Sequence, residues 1–526
     1  MNKIEELKAQ KDGLDVGADI PRYAALGLEA IEEGDLDRLK WWGIFFRKQT
    51  PGYFMMRLRI PNGVTTTAQL RAIGGIANRV GRGLVDITTR QQVQLRWIRI
   101  QDVPEILDRL LDVGLVTLQT GMDNIRNIIG CPAFGLTPNE VLDASPVARA
   151  FTAMFVGSKA YTNLPRKFNV GITGCRENCT HSETQDIALV PAVKTFGLEE
   201  VKGFNVLVGG KNGSGGYRVA SPLDVFVRPE EAAEVCSAIV LVFRDHGSRD
   251  ARNKIRLSFL IDAWGEAQFR EAVEARVGRR LDKAGADQRL AQSTDHVGVF
   301  RQKQPGLNYV GLLVPVGRVT GAQLVELARL CEQYGTGEAR LTVDQNVIIP
   351  NVPDPILGRL TAEPLLKTLR YDPSGVMRGL VSCTGVEFCN LGGDRDQEPR
   401  PADRARARAE GARHQGGSHP LVRLSRRLRQ PHGGRHRAPR HPHEGGRQGG
   451  RRGRHLHGRR LRPAGQPGRE GAGERALRRA AARAGRARPL RRVRSRAPPD
   501  PHAAARGARR AAARAAGPRA GLHDPP

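Results

Sequence analysis

From Gly393 to Pro526 the sequence has no Lys, Ile, Phe, Tyr, Trp, Met, Thr, Asn or Cys. A segment stripped of its aromatic and most of its branched apolar side chains cannot bury a core. It holds instead 36 Arg against 10 Asp plus Glu, and ten of the thirteen His. That surplus of 26 makes up most of the net charge of +30, so residues 1–392 carry only about four of the charges. The basic balance therefore implies neither nucleic acid nor an anionic membrane as a partner of the body of the chain. Two further absences narrow the class. The N-terminus, MNKIEELKAQKDGL, lacks the apolar stretch of a signal peptide, and no apolar run is long enough to span a bilayer. Seven Cys in 526 residues read as thiols, a few of them metal ligands, rather than as a disulfide framework, and point to a reducing cytoplasm.

Three origins compete for the tail: a solvated disordered arm, a nucleic-acid-binding arm, and a reading-frame slip in GC-rich DNA. No aromatic interleaves the arginines to stack on bases, which disfavours the second. The third is testable within the protein, because each residue constrains the second and third bases of its codon. Codons exist for Leu421–Arg437 that read one base later as WSGCPAACGNHTAADIG, and GDRDQEPRPADRA from Gly393 likewise permits VIETKSRALQIAR. Residues 393–526 are accordingly expected to be an out-of-frame Arg/Ala/Gly/Pro tail, non-native or disordered, with the slip near Gly392 and Gly393.

The body repeats itself at an offset of 254 residues. PGYFMMRLRIPNGVTTTAQL from Pro51 aligns with PGLNYVGLLVPVGRVTGAQL from Pro305, and ITTRQQ falls on LTVDQN. Each copy reads as strand, turn, helix (LRAIGGIANRV; LVELARLCEQY) and strand, and two copies pair into one pseudo-symmetric α+β module. A second repeat emerges once the shifted frame is admitted: GCRENCTHSETQDIAL at Gly174 resembles GCPAACGNHTAADIG. The chain is then a duplicated two-part unit.

Cys383-x5-Cys389, in VSCTGVEFCNLG, is the sharpest motif, since thiolates are the standard ligands of iron–sulfur clusters. Two cysteines alone leave an unligated, structural role open. The shifted frame adds GC-x3-C about forty residues further on. Cys175-x3-Cys179 would also complete a set of four with Cys383 and Cys389, but it lies in the first repeat, so packed thiols are expected there. Cys131, Cys236 and Cys331 stand alone in apolar or helical settings and read as core residues.

C-x5-C followed by GC-x3-C is the ligand pattern of the siroheme and [4Fe–4S] nitrite and sulfite reductases. GIFFRKQTPGYFMMRLRIPNG, DITTRQQVQLR, GMDNIRNIIG, NLPRKFNVGITGC, QKQPGLNYVGLLVPVGR and RGLVSCTGVEFCNLG resemble the ferredoxin-dependent, nitrite-assimilating members of that family. The resemblance implies a six-electron reduction of nitrite to ammonia at siroheme coupled to a [4Fe–4S] cluster, with ferredoxin as donor to a monomeric enzyme. It implies Cys383 and Cys389 as metal ligands, the other two of the four cysteines being absent from the chain as translated, which is then expected to be inactive. It also implies domains: an N-terminal helical segment over 1–49, ferredoxin-like half-domains over 50–118 and 296–370, a siroheme-binding domain over 119–295, and the start of a cluster-binding domain over 371–392.

Substrate chemistry needs cations, because nitrite is an anion. Strand periodicity puts Phe54, Met56, Leu58 and Ile60 on one face and Tyr53, Met55, Arg57 and Arg59 on the other, while Lys167 and Asn169 share a face. For any one of these a solvated surface charge is the plainer account. The resemblance places Arg57, Arg126, Lys167 and Asn169 at the anion site, and Thr88, Arg90 and Gln94 against siroheme carboxylates, for which the fork of Arg is suited. Sulfite reductases of the family carry Lys-x-Lys where this chain has Lys167-x-Asn169; a monoanion gains less from a second ammonium, so nitrite is favoured over sulfite. The glycine-rich loop Gly209–Gly216 lacks the GxxxxGK[ST] order, and no flavin or nicotinamide module is visible. A cofactor-free, tail-driven nucleic-acid binder is the distant alternative.

Overall fold

The computed structural model describes residues 2–213, 216–382 and 387–388. Cys383, Cys389 and the tail lie outside the described residues. The fold is built on the sequence repeat. One five-stranded sheet runs Ile44–Phe46, Phe54–Arg57, Val93–Ile98, Leu84–Ile87, Arg318–Thr320; a second runs Gly298–Arg301, Leu307–Leu312, Val347–Pro353, Glu338–Leu341, Val64–Thr66. Every pairing in both is antiparallel, and each sheet takes its last strand from the other repeat. The registers Leu84↔Thr320 and Thr66↔Glu338 are mates under the same offset of 254.

Local chemistry explains why both copies fold alike. Helices Thr67–Val80 and Gly321–Tyr334 each open with a capping box, Thr66 with Gln69 and Thr320 with Gln323, which satisfies two otherwise orphaned backbone donors. The two helices pack against each other, and a Cβ on Gly74 would lie 2.6 Å from the Gly321 carbonyl oxygen, so the close approach requires glycine. After each hairpin the chain passes through the left-handed region, at Asn62 and at its mate Val316. For a β-branched residue that conformation is costly, and the matching Pro-x-Gly turn imposes it.

Two glutamines lock the repeats together. Gln91 and its mate Gln345 both adopt positive φ, which aims the side chains across the pseudo-twofold axis. Gln91 Nε2 donates to the Leu341 carbonyl and Gln345 Nε2 to the Ile87 carbonyl, each at 3.0 Å. In return Gln91 Oε1 accepts from the Gly130 amide at 2.9 Å, and Gln345 Oε1 from the Ser382 amide at 3.2 Å.

The segment between the repeats forms a third sheet. Ile187–Phe196, Glu199–Val208 and Ser221–Val227 run antiparallel, Val170–Ile172 joins in parallel, and Ala286–Asp287 adds an edge. Helices Ser145–Phe155, Ala232–His246 and Leu257–Val277 pack with it around a common apolar core. The N-terminal helical segment ends at Trp42, and Ile44–Phe46 already belongs to the first sheet. Its indoles pin it down: Trp41 Nε1 donates to the Thr162 carbonyl at 3.0 Å and Trp42 Nε1 to the Leu14 carbonyl at 2.8 Å. No described helix is long and apolar enough to cross a membrane.

Replacing Gln345 with Ala removes one donor and one acceptor together and leaves the Ile87 carbonyl and Ser382 amide without partners. Each buried orphan costs about 1–3 kcal/mol. Chemical denaturation is expected to register a loss of at least about 1 kcal/mol on that basis, and an unchanged midpoint would contradict the lock.

Candidate active site

Four cations meet beside the first sheet. Arg57 ends its strand directly opposite Gln94. Its Nη1 donates to the Thr120 carbonyl at 3.1 Å and its guanidinium lies 4.7 Å over the Phe45 ring. Arg126 donates to the same Thr120 carbonyl and, at 2.9 Å, to that of Met122. Residues 124–126 run beside the approach to strand Val170–Ile172: the Arg126 amide donates to the Phe168 carbonyl at 2.7 Å, and the Phe168 amide to that of Asn124 at 3.0 Å. That pairing sets Arg126 next to Lys167 and Asn169.

Arg59, grouped with Arg57 by strand periodicity, has a different task. It is 2 % exposed and donates to the carbonyls of Leu118, Gln119, Ile125 and Arg126 at 2.9–3.2 Å. It thereby shapes the loop that carries Arg126. Asn127 joins this scaffold to the next turn, accepting from the Ile60 amide at 3.1 Å and donating to the Arg90 carbonyl at 2.9 Å. Neither role has a local sequence signature, because both depend on partners some sixty residues away.

None of Arg57, Arg90, Arg126 and Lys167 forms an ion pair among the described residues. The nearby carboxylates are spent: Asp123 takes both arms of Arg252 at 2.9 and 2.8 Å, and Asp186 takes Arg256 at 3.0 and 2.6 Å while accepting from the Asn169 amide at 2.7 Å. Burial, then the neighbouring Arg256, Arg126, Arg90 and Arg166, push the Lys167 ammonium well below its ordinary pKa. Burial and then Arg90 bring Arg126 down to about 9; burial and then Arg256 bring Arg90 to about 10. The Arg57 guanidinium is likewise pushed down by burial and by Arg126. Like charges held together without counter-charge make a site for an anion. The Asn169 carboxamide makes no hydrogen bond among the described residues, its Oδ1 being buried and unpartnered.

The residues expected against a tetrapyrrole lie along one edge of this basin. Gln94 is buried with Oε1 unpartnered. Arg90 reaches only Gln185 Oε1, at 3.4 and 3.5 Å. Thr88 Oγ1 accepts from the amides of Arg90 and Gln92 at 3.2 and 3.3 Å and so shapes the turn that presents Arg90.

Of the cysteines, Cys131 departs from expectation. Cys236 and Cys331 are buried in helices, with their thiols pushed up to about 12 by burial. Cys131 does not stand alone: it is buried in one cluster with Cys175 and Cys179. The loop after strand Val170–Ile172 brings the GCRENC pair back onto the turn after Ile129, a long-range closure that spacing along the chain does not reveal. His296 completes the group, with one ring nitrogen and the Cys131 and Cys179 sulfurs all within 4.8 Å of one another.

Family models match over these same elements. Residues 46–113 and 300–367 match the nitrite/sulfite reductase ferredoxin-like half domain, and residues 121–281 the nitrite and sulphite reductase 4Fe-4S domain. The chain belongs to the nitrite and sulfite reductase family. It is 47% identical over 398 residues to the ferredoxin–nitrite reductase of Synechococcus elongatus, covering 74% of this chain and 77% of that one. The assimilatory ferredoxin-dependent nitrite reductase of Haloferax mediterranei is 41% identical, covering 74% and 71%. Among solved structures, that of the Mycobacterium tuberculosis NirA protein superposes with a TM-score of 0.71 at 34% identity, over 78% of this chain and 76% of that one.

For a member of this family the basin is the place to test the fit of the cofactor. Siroheme carries a fringe of carboxylates, and the cations here have no carboxylate of their own; the residues present fit. If Lys167 holds the anion it does so only while protonated, so rate should fall as pH rises through its lowered pKa. A bound anion favours the ammonium and moves that pKa up again. The alkaline limb of kcat/KM, which reports free enzyme, should therefore lie at lower pH than the limb of kcat. Lys167→Arg should push both limbs to higher pH. Limbs that coincide and ignore the substitution would remove Lys167 from the site.

Proposed function

We propose that this chain reduces nitrite to ammonia with electrons from ferredoxin, and that Arg57, Arg126, Lys167 and Asn169 hold the anion while it is reduced. The observation that supports the reading is a set of half-buried cations without a carboxylate partner among the described residues, Arg57 and Arg126 donating instead to the backbone carbonyls of Thr120 and Met122. A carboxylate partner would have cancelled the charge. Carbonyls satisfy the donors and leave the field intact for a substrate.

Siroheme coupled to a [4Fe–4S] cluster, when bound, supplies the electrons one at a time. Thr88, Arg90 and Gln94 would hold the tetrapyrrole's edge, and Cys383 and Cys389 would supply two of the cluster's thiolates. Arg57 and Arg126 keep their protons and orient the nitrite oxygens. Lys167, whose ammonium burial and the neighbouring arginines push well below its ordinary pKa, can pass its proton to a departing oxygen and recover another from solvent. Six electrons and eight protons convert one nitrite into ammonium and two waters, so a proton donor that reloads is required. A donor of single electrons suits a chain with no visible flavin or nicotinamide motif. Five described cysteines are free thiols, which supports a cytoplasmic location.

Reduced ferredoxin and nitrite are the assay. Arg57→Gln removes a charge-assisted contact worth about 1.5–3 kcal/mol, so kcat/KM for nitrite should fall by roughly 10- to 150-fold. Asn169→Lys should raise sulfite turnover relative to nitrite. A ratio unmoved by that substitution would sink the role given to Asn169. Expression in both reading frames after Gly392 tests the cluster assignment: only the frame that restores the second cysteine pair should show cluster absorption.

A further inference from the structure

Outside the cationic basin, two loops of the first repeat and the start of the second converge on a second cluster of metal-ligand atoms. Cys131, Cys175, Cys179 and His296 are 3 %, 1 %, 3 % and 2 % exposed. They sit among Ala133, Leu136, Tyr309 and Ile348, an apolar shell that excludes water. We propose that these four side chains bind a single zinc ion, a Cys3His centre distinct from the iron–sulfur cluster.

Geometry carries the assignment. A tetrahedral zinc with Zn–S bonds of about 2.3 Å sets its sulfurs about 3.8 Å apart. The Cys131 and Cys179 sulfurs and the His296 nitrogen already lie within 4.8 Å of one another, and Cys175 is buried in the same cluster as Cys131 and Cys179. A four-iron cube seats each thiolate on a different iron and needs them spread wider. A disulfide would hold only one pair and leave the histidine unexplained.

The histidine is prepared as a ligand. Its Nδ1 is hydrogen-bonded to the Tyr309 hydroxyl at 3.1 Å, the kind of outer partner that fixes ring orientation. Its Nε2 is buried with no hydrogen-bond partner, and so is Glu177 Oε2, 3.9 Å away. Buried polar atoms left without partners call for a cation or a water. Three packed thiols alone would account for the sulfurs as small apolar groups, yet not for a buried histidine ring nitrogen within 4.8 Å of two of them.

The repeat shows where such a site comes from. The Gly130 amide meets Gln91 as the Ser382 amide meets its mate Gln345, so Cys131 and Cys383 follow equivalent positions. Cys175-x3-Cys179 matches the C-x3-C of the shifted frame. The first repeat thus keeps three thiols where the second has its cluster pattern, and where Cys389 would fall this repeat has Thr137.

The test uses the full chain purified anaerobically with reductant and equilibrated with zinc. Elemental analysis should give about one zinc per chain, and zinc-edge X-ray absorption should fit three sulfurs at about 2.3 Å and one nitrogen at about 2.0 Å. Cobalt put in its place should show tetrahedral thiolate bands. Cys131→Ser combined with Cys179→Ser should abolish these signals, and Cys331→Ser should preserve them. Tyr309→Phe, which keeps all four ligands, should weaken zinc binding by about 10- to 100-fold. The proposal is overturned by a wild-type chain that takes up no zinc, by zinc that survives the double substitution, or by an iron–sulfur spectrum that disappears with Cys131.

Discussion

The site depends on satisfying arginine without neutralising it. Arg57, Arg59 and Arg126 place their donors on backbone carbonyls of one loop, at Leu118, Gln119, Thr120, Met122, Ile125 and Arg126. A carbonyl accepts a hydrogen bond and carries no net charge, so the loop holds three guanidinium groups and leaves their field nearly whole. The acids that could have cancelled it are occupied, Asp123 by Arg252 and Asp186 by Arg256. The cost of gathering like charges is visible in the lowered proton affinity of Lys167 and Arg126. An anion repays that cost on binding, which is how a small, weakly basic substrate can be held by electrostatics rather than by area.

Duplication supplies the rigidity this arrangement needs. Because each five-stranded sheet ends on a strand from the other copy, neither repeat can shift without breaking two ladders. Gln91 and Gln345 extend the coupling from the sheets to the loops at Gly130 and Ser382. Positions next to cofactor-binding segments are thereby tied to the most buried part of the fold. The strained Val316 is tolerated for the same reason: the surrounding turn over-determines it.

Much of this was legible along the chain. The offset of 254 residues located both hairpins and both capped helices, since local propensity repeats where sequence repeats. Arg57, Arg126, Lys167 and Asn169 were named from motif positions, and they do converge. What stayed hidden depends on contacts between distant segments. Strand exchange is invisible to periodicity, because a strand has the same pattern in either sheet. Arg59 shares a strand face with Arg57 by periodicity, which does not reveal that it is a buried clasp on carbonyls. Cys131 read as solitary because its neighbours come from residues 175 and 179, more than forty positions on. The Thr88 hydroxyl oxygen also holds two amides of its own turn, a contact that the motif does not announce.

The two repeats share one scaffold but have taken different side chains on it, and the divergence follows from charge. A free thiolate beside Arg57 and Lys167 would cancel part of their cationic field. In the first repeat the cysteines therefore sit apart from Arg57 and Lys167, inside an apolar shell with His296 and Tyr309. There they can be neutral thiols or, as inferred above, ligands whose charge a dication absorbs. Either way the negative charge stays out of the basin. Segregating thiolate from guanidinium, more than any single residue, is what allows one duplicated fold to present a cationic cup on one side and sulfur ligands on the other.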